Sequence, residues 1–223
     1  MINTLKRYPI TSLLVGSISL IFLLMQLLYP GMAETPQVIY QFGGLVGDIL
    51  KTNYQESWRL ITPIFVHIGW QHFLFNTITL FFLGKLLEDL YGHFRYLILF
   101  LFSGILGNIF VFVFTPNVIV AGASTAIFGL FAAVVVAGQN SRYTYLKQLS
   151  NSYRTLILIN LVFNLITPNV SIVGHLGGLT GGVLLGVALS KTDNSYFKTS
   201  QKLATTLLYS LIFIGLLTIP WLF

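Results

Sequence analysis

Seven apolar stretches, separated by more polar connections, make up most of this 223-residue chain. A helix that crosses a bilayer needs about 20 mostly apolar residues, and each stretch qualifies or comes close. We expect membrane spans at residues 11–29, 73–90, 94–114, 118–139, 153–167, 171–190 and 203–223. The sequence therefore predicts an all-α membrane protein, a polytopic helical bundle that forms a single membrane domain over residues 1–223.

The composition argues against most other classes of protein. Hydrophobic residues make up 55% of the chain and charged residues only 8%, whereas a soluble domain has about 25% charged residues. The isoelectric point near 9.6 would suggest nucleic-acid binding in a soluble chain, but here the basic residues lie between apolar runs. We therefore expect the lipid bilayer, and no nucleic acid, as a partner. The absence of cysteine removes disulfides, thiol nucleophiles and thiolate metal sites.

The distribution of lysine and arginine predicts the orientation of the spans. With the N-terminus inside, the inner segments carry ten of the twelve basic residues, and the outer segments carry only Lys51 and Arg59. Because cytoplasmic segments are enriched in such residues, we expect a cytoplasmic N-terminus. An odd number of spans then puts the C-terminus outside, with Trp221 at the outer interface. The absence of a targeting peptide or soluble domain favours a bacterial plasma membrane.

Polar residues within the spans are the candidates for function, since they are costly in lipid. None of the six acidic residues lies deep in a span, which argues against a protease with paired carboxylates and against a carboxylate-based proton carrier. The zinc-protease motif H-E-x-x-H is also absent. What remains is three clusters of His, Ser, Asn and Gly, at residues 67–76, 122–129 and 174–182.

The predicted topology brings these three clusters to the same depth. The second, fourth and sixth spans all run from outside to inside, and each cluster lies at the start of its span. We place Ser124 about six residues into the fourth span, on the order of 9 Å below the outer edge if that span is helical throughout.

Small residues allow the fourth and sixth spans to approach closely. Glycines recur at every fourth position from 174 to 186, and small residues occupy positions 122, 123, 126 and 129. If these faces meet, His175 can serve as the base that a serine nucleophile such as Ser124 requires. His72 and Asn76 share a helix face and can stabilise an oxyanion, together with the Ser124 N–H.

Each of these residues also has a simpler explanation. A serine among small residues usually bonds to its own helix, and a histidine near the end of a span is more often an interfacial or packing residue. Glycines at regular spacing indicate only tight helix packing, and an asparagine can join two helices. Their joint occurrence at one depth favours catalysis.

Together these residues resemble the rhomboid family of intramembrane serine proteases, over about residues 58–186. The similarity consists of Trp58 with Arg59, the string His67-x4-His72-x3-Asn76, Glu88, Gly122-x-Ser124, and His175 followed by the glycines. A G-x-S tripeptide alone carries little information, whereas the full ordered set is specific. The resemblance implies a six-helix core at about residues 11–190 and an added C-terminal span at about 203–223.

The resemblance also implies roles for individual residues. It implies that Ser124 is the nucleophile and His175 the base of a dyad without a carboxylate, and that His72 and Asn76 form the oxyanion site. It implies that the ring of Phe128 packs against the catalytic imidazole. We assign supporting roles to Gly122, Gly178, His67, Trp58, Arg59 and Glu88. We expect no metal and no cofactor.

One residue departs from the family pattern. The tripeptide Gly-x-Ser is usually followed by a second glycine, and this chain has Thr125 there. Its β-branched side chain can hinder the helix contact beside Ser124, or its hydroxyl can bond back along the helix. Either effect would leave the dyad intact and change the rate or the local packing.

We therefore expect a serine endopeptidase that cleaves transmembrane protein substrates near the outer face of the membrane. The alternative within the same fold is a catalytically silent binder of membrane proteins, although Ser124 and His175 are both present. A transporter would carry inverted repeats and mid-membrane charges. A metal or haem site at His67, His72 and His175 would lack carboxylate or cysteine partners. The sequence does not predict the oligomeric state.

Overall fold

A computed structural model describes residues 2–139, 141–167, 170–191 and 197–219. Most of these residues are helical. The α-helices are α1 (Ile2–Arg7), α2 (Pro9–Leu28), α3 (Pro36–Gln41), α4 (Gly47–Thr52), α5 (Gly69–Tyr91), α6 (His93–Phe114), α7 (Ser124–Gln139), α8 (Thr144–Ile166), α9 (Ile172–Ala188) and α10 (Thr199–Thr218). Two short 3-10 helices, Tyr54–Leu60 and Thr62–Phe65, and two strands, β1 (Leu45–Val46) and β2 (Ile119–Val120), complete the described part.

The seven longest helices in the described part lie where the sequence predicts the seven spans. By length and composition, α2, α6 and α10 can cross a membrane, while α7 and α9 are apolar but shorter. Helices α5 and α8 have 23 residues each and carry more polar side chains. The all-α, polytopic architecture is confirmed.

The predicted start of the fourth span is wrong. Residues 118–123 are not helical, and strand β2 within them pairs antiparallel with β1 through Leu45 with Val120 and Val46 with Ile119. Gly122 then adopts a φ of +128°, which no helix contains. Helix α7 therefore begins at Ser124, and the depth estimate that assumed a continuous helix does not apply.

Three other predicted boundaries also change. Helix α5 begins at Gly69 rather than at residue 73. The fifth helix begins at Thr144 rather than at residue 153, because its first turns are polar and an apolar run does not reveal them. The seventh, α10, begins at Thr199, and the predicted interfacial anchor Trp221 lies outside the described residues.

Helix α9 meets α7 through the glycines that recur at every fourth position. A Cβ atom built on Gly182 would lie 2.5 Å from the Cα atom of Gly129, and one built on Gly178 would lie 2.9 Å from the carbonyl carbon of Thr125. Real Cβ atoms essentially never approach so closely, so only glycine fits. The predicted contact between the fourth and sixth spans is confirmed.

A second glycine face of α9, not predicted from the sequence, meets α6. A Cβ atom on Gly177 would lie 2.9 Å from the Cα atom of Gly107, and one on Gly181 would lie 3.0 Å from the Cα atom of Ser103. Helix α9 is thus inserted between α6 and α7, in close backbone contact with both.

Arg59 holds together the long connection between α2 and α5. Its guanidinium group is buried and donates hydrogen bonds to the backbone oxygens of Tyr40 and Gly44. It also pairs with Glu56 and lies over the rings of Tyr40, at 3.6 Å, and Trp58, at 4.1 Å. The Trp58 and Arg59 pair is therefore a packing element of this connection, which also supplies strand β1.

Glu88 joins three helices at the opposite end of α5 from His72. Its carboxylate accepts hydrogen bonds from the backbone N–H of Thr11 (2.9 Å), the Thr11 hydroxyl (2.7 Å) and the backbone N–H of Ile10 (3.0 Å), and it pairs with His93 at 2.6 Å. Sixteen residues of helix separate Glu88 from His72, or about 24 Å. Glu88 therefore fixes α2 and α6 against α5, far from the candidate catalytic residues.

Candidate active site

The structure brings Ser124 and His175 together from two different helices. Ser124 is the first residue of α7, and His175 lies in the first turn of α9. The His175 Nε2 atom lies 2.9 Å from the Ser124 Oγ atom, within hydrogen-bonding range. The histidine is buried, with 5% of its surface exposed, and the serine is half-buried. A hydroxyl beside a buried imidazole is the arrangement that activates a serine nucleophile.

The ring of Phe128 fixes the plane of the imidazole. Phe128 follows Ser124 by one turn of α7, and its ring stacks on that of His175 with 4.0 Å between centroids and 8° between planes. The stacked ring hinders the imidazole from tilting out of this plane. The predicted packing of these two side chains is therefore seen in the structure.

Asn164 contacts the other nitrogen of the imidazole, and sequence reasoning missed it. Its amide Nδ2 lies 2.6 Å from the His175 Nδ1 atom, which connects α8 to α9. The available signal was a polar residue in an apolar span, which is costly in lipid. The fifth span ends at the same side of the bundle as the sixth begins, so the predicted topology placed Asn164 near His175.

His67 supports the segment that leads into Ser124. Its ring is fully buried. The Nδ1 atom lies 3.4 Å from the backbone oxygen of Phe65, and the Nε2 atom accepts the Ala123 N–H at 3.3 Å. Burial lowers the pKa of His67 to about 3, so the ring stays neutral and its Nε2 atom can accept a hydrogen bond. His67 is thus a positioning residue one step before the serine.

Two features require glycine at position 122: the backbone conformation and the lack of space for a side chain. Its φ of +128° is one that side chains rarely allow, and its N–H donates to the backbone oxygen of Pro63 at 2.8 Å. A Cβ atom at this position would lie 2.7 Å from the Nε2 atom of His72. The His72 ring therefore occupies the space that any larger residue would need.

The same contacts determine which nitrogen of His72 carries a proton. The Nδ1 atom of His72 accepts the Ile68 N–H at 3.4 Å, so in the neutral ring the proton is on Nε2. That N–H lies beside Gly122, two residues before Ser124. Asn76 is buried and donates from Nδ2 to the backbone oxygen of His72 at 2.8 Å, which leaves its second N–H for another acceptor.

Thr125 fits against the neighbouring helices because glycines face it. The side chain is buried, and its atoms lie 2.7 Å and 3.1 Å from where Cβ atoms would stand on Gly107 and Gly174. Its hydroxyl has no hydrogen-bond partner within the described residues. The threonine therefore does not prevent the contact between α7 and α9, nor does its hydroxyl bond back along the helix.

The geometry gives no support to a metal site at the histidines. Across residues 2–139, 141–167, 170–191 and 197–219, no three His, Cys, Asp or Glu side chains form a group that could hold a metal ion. His67 and His72 lie 5.2 Å apart between ring centroids, and each uses ring nitrogens on the backbone.

Comparison with known proteins identifies the family. The family model described as the Rhomboid domain matches residues 54–192. The rhomboid protease GluP of Bacillus subtilis is 34% identical over 187 residues, which are 84% of this chain and 36% of that protein. The rhomboid protein YdcA of the same organism is 30% identical over 194 residues, 86% of this chain and 94% of that protein.

A plant relative shows a similar match. RHOMBOID-like protein 1 of Arabidopsis thaliana is 38% identical over 158 residues, which are 69% of this chain and 40% of that protein. The chain therefore spans nearly all of YdcA but well under half the length of GluP and of the plant protein. Because the family model covers more than half of the chain, and the helices are those of a polytopic bundle, the chain is an integral membrane protein of the rhomboid family.

Proposed function

We propose that this protein is an intramembrane serine endopeptidase in which Ser124 and His175 form the catalytic dyad. The observation that carries the proposal is the 2.9 Å contact between the His175 Nε2 atom and the Ser124 Oγ atom. The name of the relative GluP, a rhomboid protease, supports the same activity. The substrates are transmembrane proteins.

In the first half of the reaction, Ser124 Oγ attacks the scissile carbonyl while His175 Nε2 accepts its proton. The tetrahedral intermediate collapses when His175 gives that proton to the leaving amine, and an acyl group remains on Ser124. In the second half, His175 takes a proton from water, which attacks the acyl group to form a second tetrahedral intermediate. When the bond between the acyl carbon and Ser124 Oγ breaks, His175 gives that proton to Oγ and the second product is released as an acid. The histidine returns to its starting state, so no external proton source is consumed.

The charged form of His175 is stabilised without a carboxylate. No acidic residue is predicted at this depth, and the ring face of Phe128 lies directly against the imidazole. An aromatic face attracts a cation by about 0.5–2 kcal/mol. The stacking also keeps the Nε2 atom directed at Ser124, which is the orienting role that a third catalytic residue otherwise has.

We assign the oxyanion site to three donors, of which the first is the N–H of Ser124. Ser124 is the first residue of α7, and the first N–H groups of a helix have no partner within the helix and favour negative charge. The His72 Nε2–H beside Gly122 and the second N–H of Asn76 complete the set. One donor of this kind lowers the barrier by about 2.7–4 kcal/mol.

Cleavage takes place near the outer face of the membrane. The distribution of basic residues predicts a cytoplasmic N-terminus, which puts the starts of α5, α7 and α9, and hence the dyad, on the outer side. A substrate helix must unwind there, because a helical peptide keeps its carbonyls in internal hydrogen bonds. Water for the second half of the reaction enters from the same side.

The test is cleavage of a model transmembrane substrate by purified protein in vesicles. Ser124→Ala and His175→Ala should each lower turnover by at least about 10³-fold, because the two residues act as a unit. Their melting temperatures should match that of the wild type. A serine-reactive phosphonate probe should label the wild type and not Ser124→Ala.

Three results would contradict the proposal. Near-native turnover by Ser124→Ala would remove the serine from the mechanism. Loss of activity with a chelator, restored by zinc, would favour a metal site. Binding of substrate by a folded wild type that yields no product would favour the catalytically silent binder.

A further inference from the structure

We propose that Asn164 is a positioning residue that selects the reactive form of His175, an inference that rests on the proposed function. The structure places the Asn164 Nδ2 atom against His175 Nδ1, and a half-turn about the last side-chain bond exchanges Nδ2 with the side-chain oxygen. In the reactive form proposed here, that oxygen accepts the Nδ1–H of His175 and thereby leaves Nε2 as the proton acceptor for Ser124. The two side chains are joined by a 2.6 Å contact between α8 and α9.

The chemistry of a neutral imidazole requires such a partner. A neutral histidine carries its proton on one ring nitrogen and accepts on the other. His175 can take a proton from Ser124 only when Nε2 is unprotonated. The neutral ring then carries its single proton on Nδ1. Because the ring is only 5% exposed, an Nδ1–H without an acceptor would be a buried unsatisfied donor, which destabilises that form of the ring.

The amide of Asn164 provides that acceptor by its orientation. Rotation about its last side-chain bond brings either the oxygen or the NH₂ group to the same place. With the oxygen facing Nδ1, the ring is a base at Nε2. With the NH₂ group facing Nδ1, the ring would carry its proton on Nε2 and would be unable to deprotonate Ser124. The amide orientation thus decides which form of the histidine is present.

The contact is not the ordinary behaviour of an asparagine in an apolar helix. Asn160, one turn earlier on α8, donates to the backbone oxygen of Leu156 on its own helix at 2.8 Å. Asn164 instead reaches across to another helix. The buried residues of α8 are Leu146 and Ser150, near its beginning, so Asn164 provides a polar connection to α9 at the other end of the helix.

Asn160 and Asn164 therefore make a matched pair for the experiment. We compare Asn164→Ala, Asn164→Leu and Asn164→Asp with Asn160→Ala by measuring kcat, KM and the pH dependence of kcat/KM on one transmembrane substrate. Asn164→Ala should lower kcat by about 10- to 100-fold and change KM less than about twofold. Asn164→Leu, which keeps a similar side-chain volume, should do the same, so the test does not depend on one variant. Asn160→Ala should leave kcat unchanged.

The aspartate variant separates positioning from packing. Its carboxylate can only accept at Nδ1, so kcat should recover above that of Asn164→Ala. It also favours a charged His175, so the acidic limb of kcat/KM should move to higher pH. Among the residues that the structure describes, the other titratable side chain that acts on His175 is His72, which is the same in every variant.

Two outcomes would overturn the proposal. The first is a kcat for Asn164→Ala and Asn164→Leu equal to that of Asn160→Ala. The second is an Asn164→Asp protein as slow as Asn164→Ala with an unmoved acidic limb, which would assign Asn164 to packing alone. If Ser124→Ala remains inactive in either case, only the role of Asn164 fails. If Ser124→Ala is active, the proposed function fails.

Discussion

Replacing Gly178 with alanine tests whether the contact between α7 and α9 sets the distance within the dyad. Gly178 lies one turn after His175, and a Cβ atom there would stand 2.9 Å from the carbonyl carbon of Thr125 and closer still to its oxygen. Non-bonded carbons pack at about 3.5–4.0 Å, so the contact with the carbonyl carbon alone requires the two helices to separate by roughly 0.6–1.1 Å. Thr125 follows Ser124 directly, so the serine moves with it.

This separation is large compared with the range of distances over which Ser124 and His175 can form a hydrogen bond. The Nε2 to Oγ distance of 2.9 Å would grow to roughly 3.5–4 Å, beyond hydrogen-bonding range. A misplacement of about 1 Å can cost about 100-fold in rate, and overpacking of this kind costs about 1–3 kcal/mol of stability. Gly178→Ala should therefore lower both the melting temperature and kcat, and Gly178→Val should lower them further.

The matched control is Gly215→Ala in α10. No atom lies within 4 Å of the position that its Cβ would take, and alanine is the better helix former by about 1 kcal/mol. Thermal unfolding and turnover are measured on the same preparations of both variants. If Gly178→Ala has the melting temperature and the kcat of Gly215→Ala, the helix contact does not set the geometry of the dyad.

Two further perturbations distinguish the chemistry from the scaffold. His72→Ala or Asn76→Ala should lower kcat by about 10- to 1000-fold with little change in KM. The reason is that an oxyanion donor matters most when negative charge develops in the transition state. If Asn76→Ala loses thermal stability but keeps a normal kcat, Asn76 does not have that role. Glu88→Gln should lower the free energy of unfolding by about 1–3 kcal/mol, because the hydrogen bonds with Thr11 are weakened. The kcat of the folded protein should not change. A normal melting temperature would show that this carboxylate does not hold α2 and α6 against α5.

The positions of the helices were predictable because a bilayer requires long apolar runs. The pairing of Ser124 with His175 was predictable because three spans run in the same direction and two of them carry small residues at matching intervals. These patterns are local in the sequence or follow from the order of the spans.

The start of α7 was not predictable in the same way. Residues 118–120 are apolar, and all three are β-branched, so they fit a span as well as a strand. Only the pairing with Leu45 and Val46, more than seventy residues away, selects the strand and with it the backbone of Gly122. The second glycine face of α9 was not predicted, because Gly177 and Gly181 lie beside the longer series at positions 174 to 186.

The glycines of α9 also affect how α9 associates with its neighbouring helices within the bilayer. Water does not drive apolar helices together within a bilayer, so close van der Waals contact must provide much of the attraction. Ordering a long side chain costs up to about 2 kcal/mol of rotamer entropy, whereas a glycine has none to lose. Helix α9 therefore gains backbone contact with α6 and α7 without immobilising side chains at those positions. The imidazole of His175 is therefore carried by a helix that is held in place at a small cost in side-chain entropy.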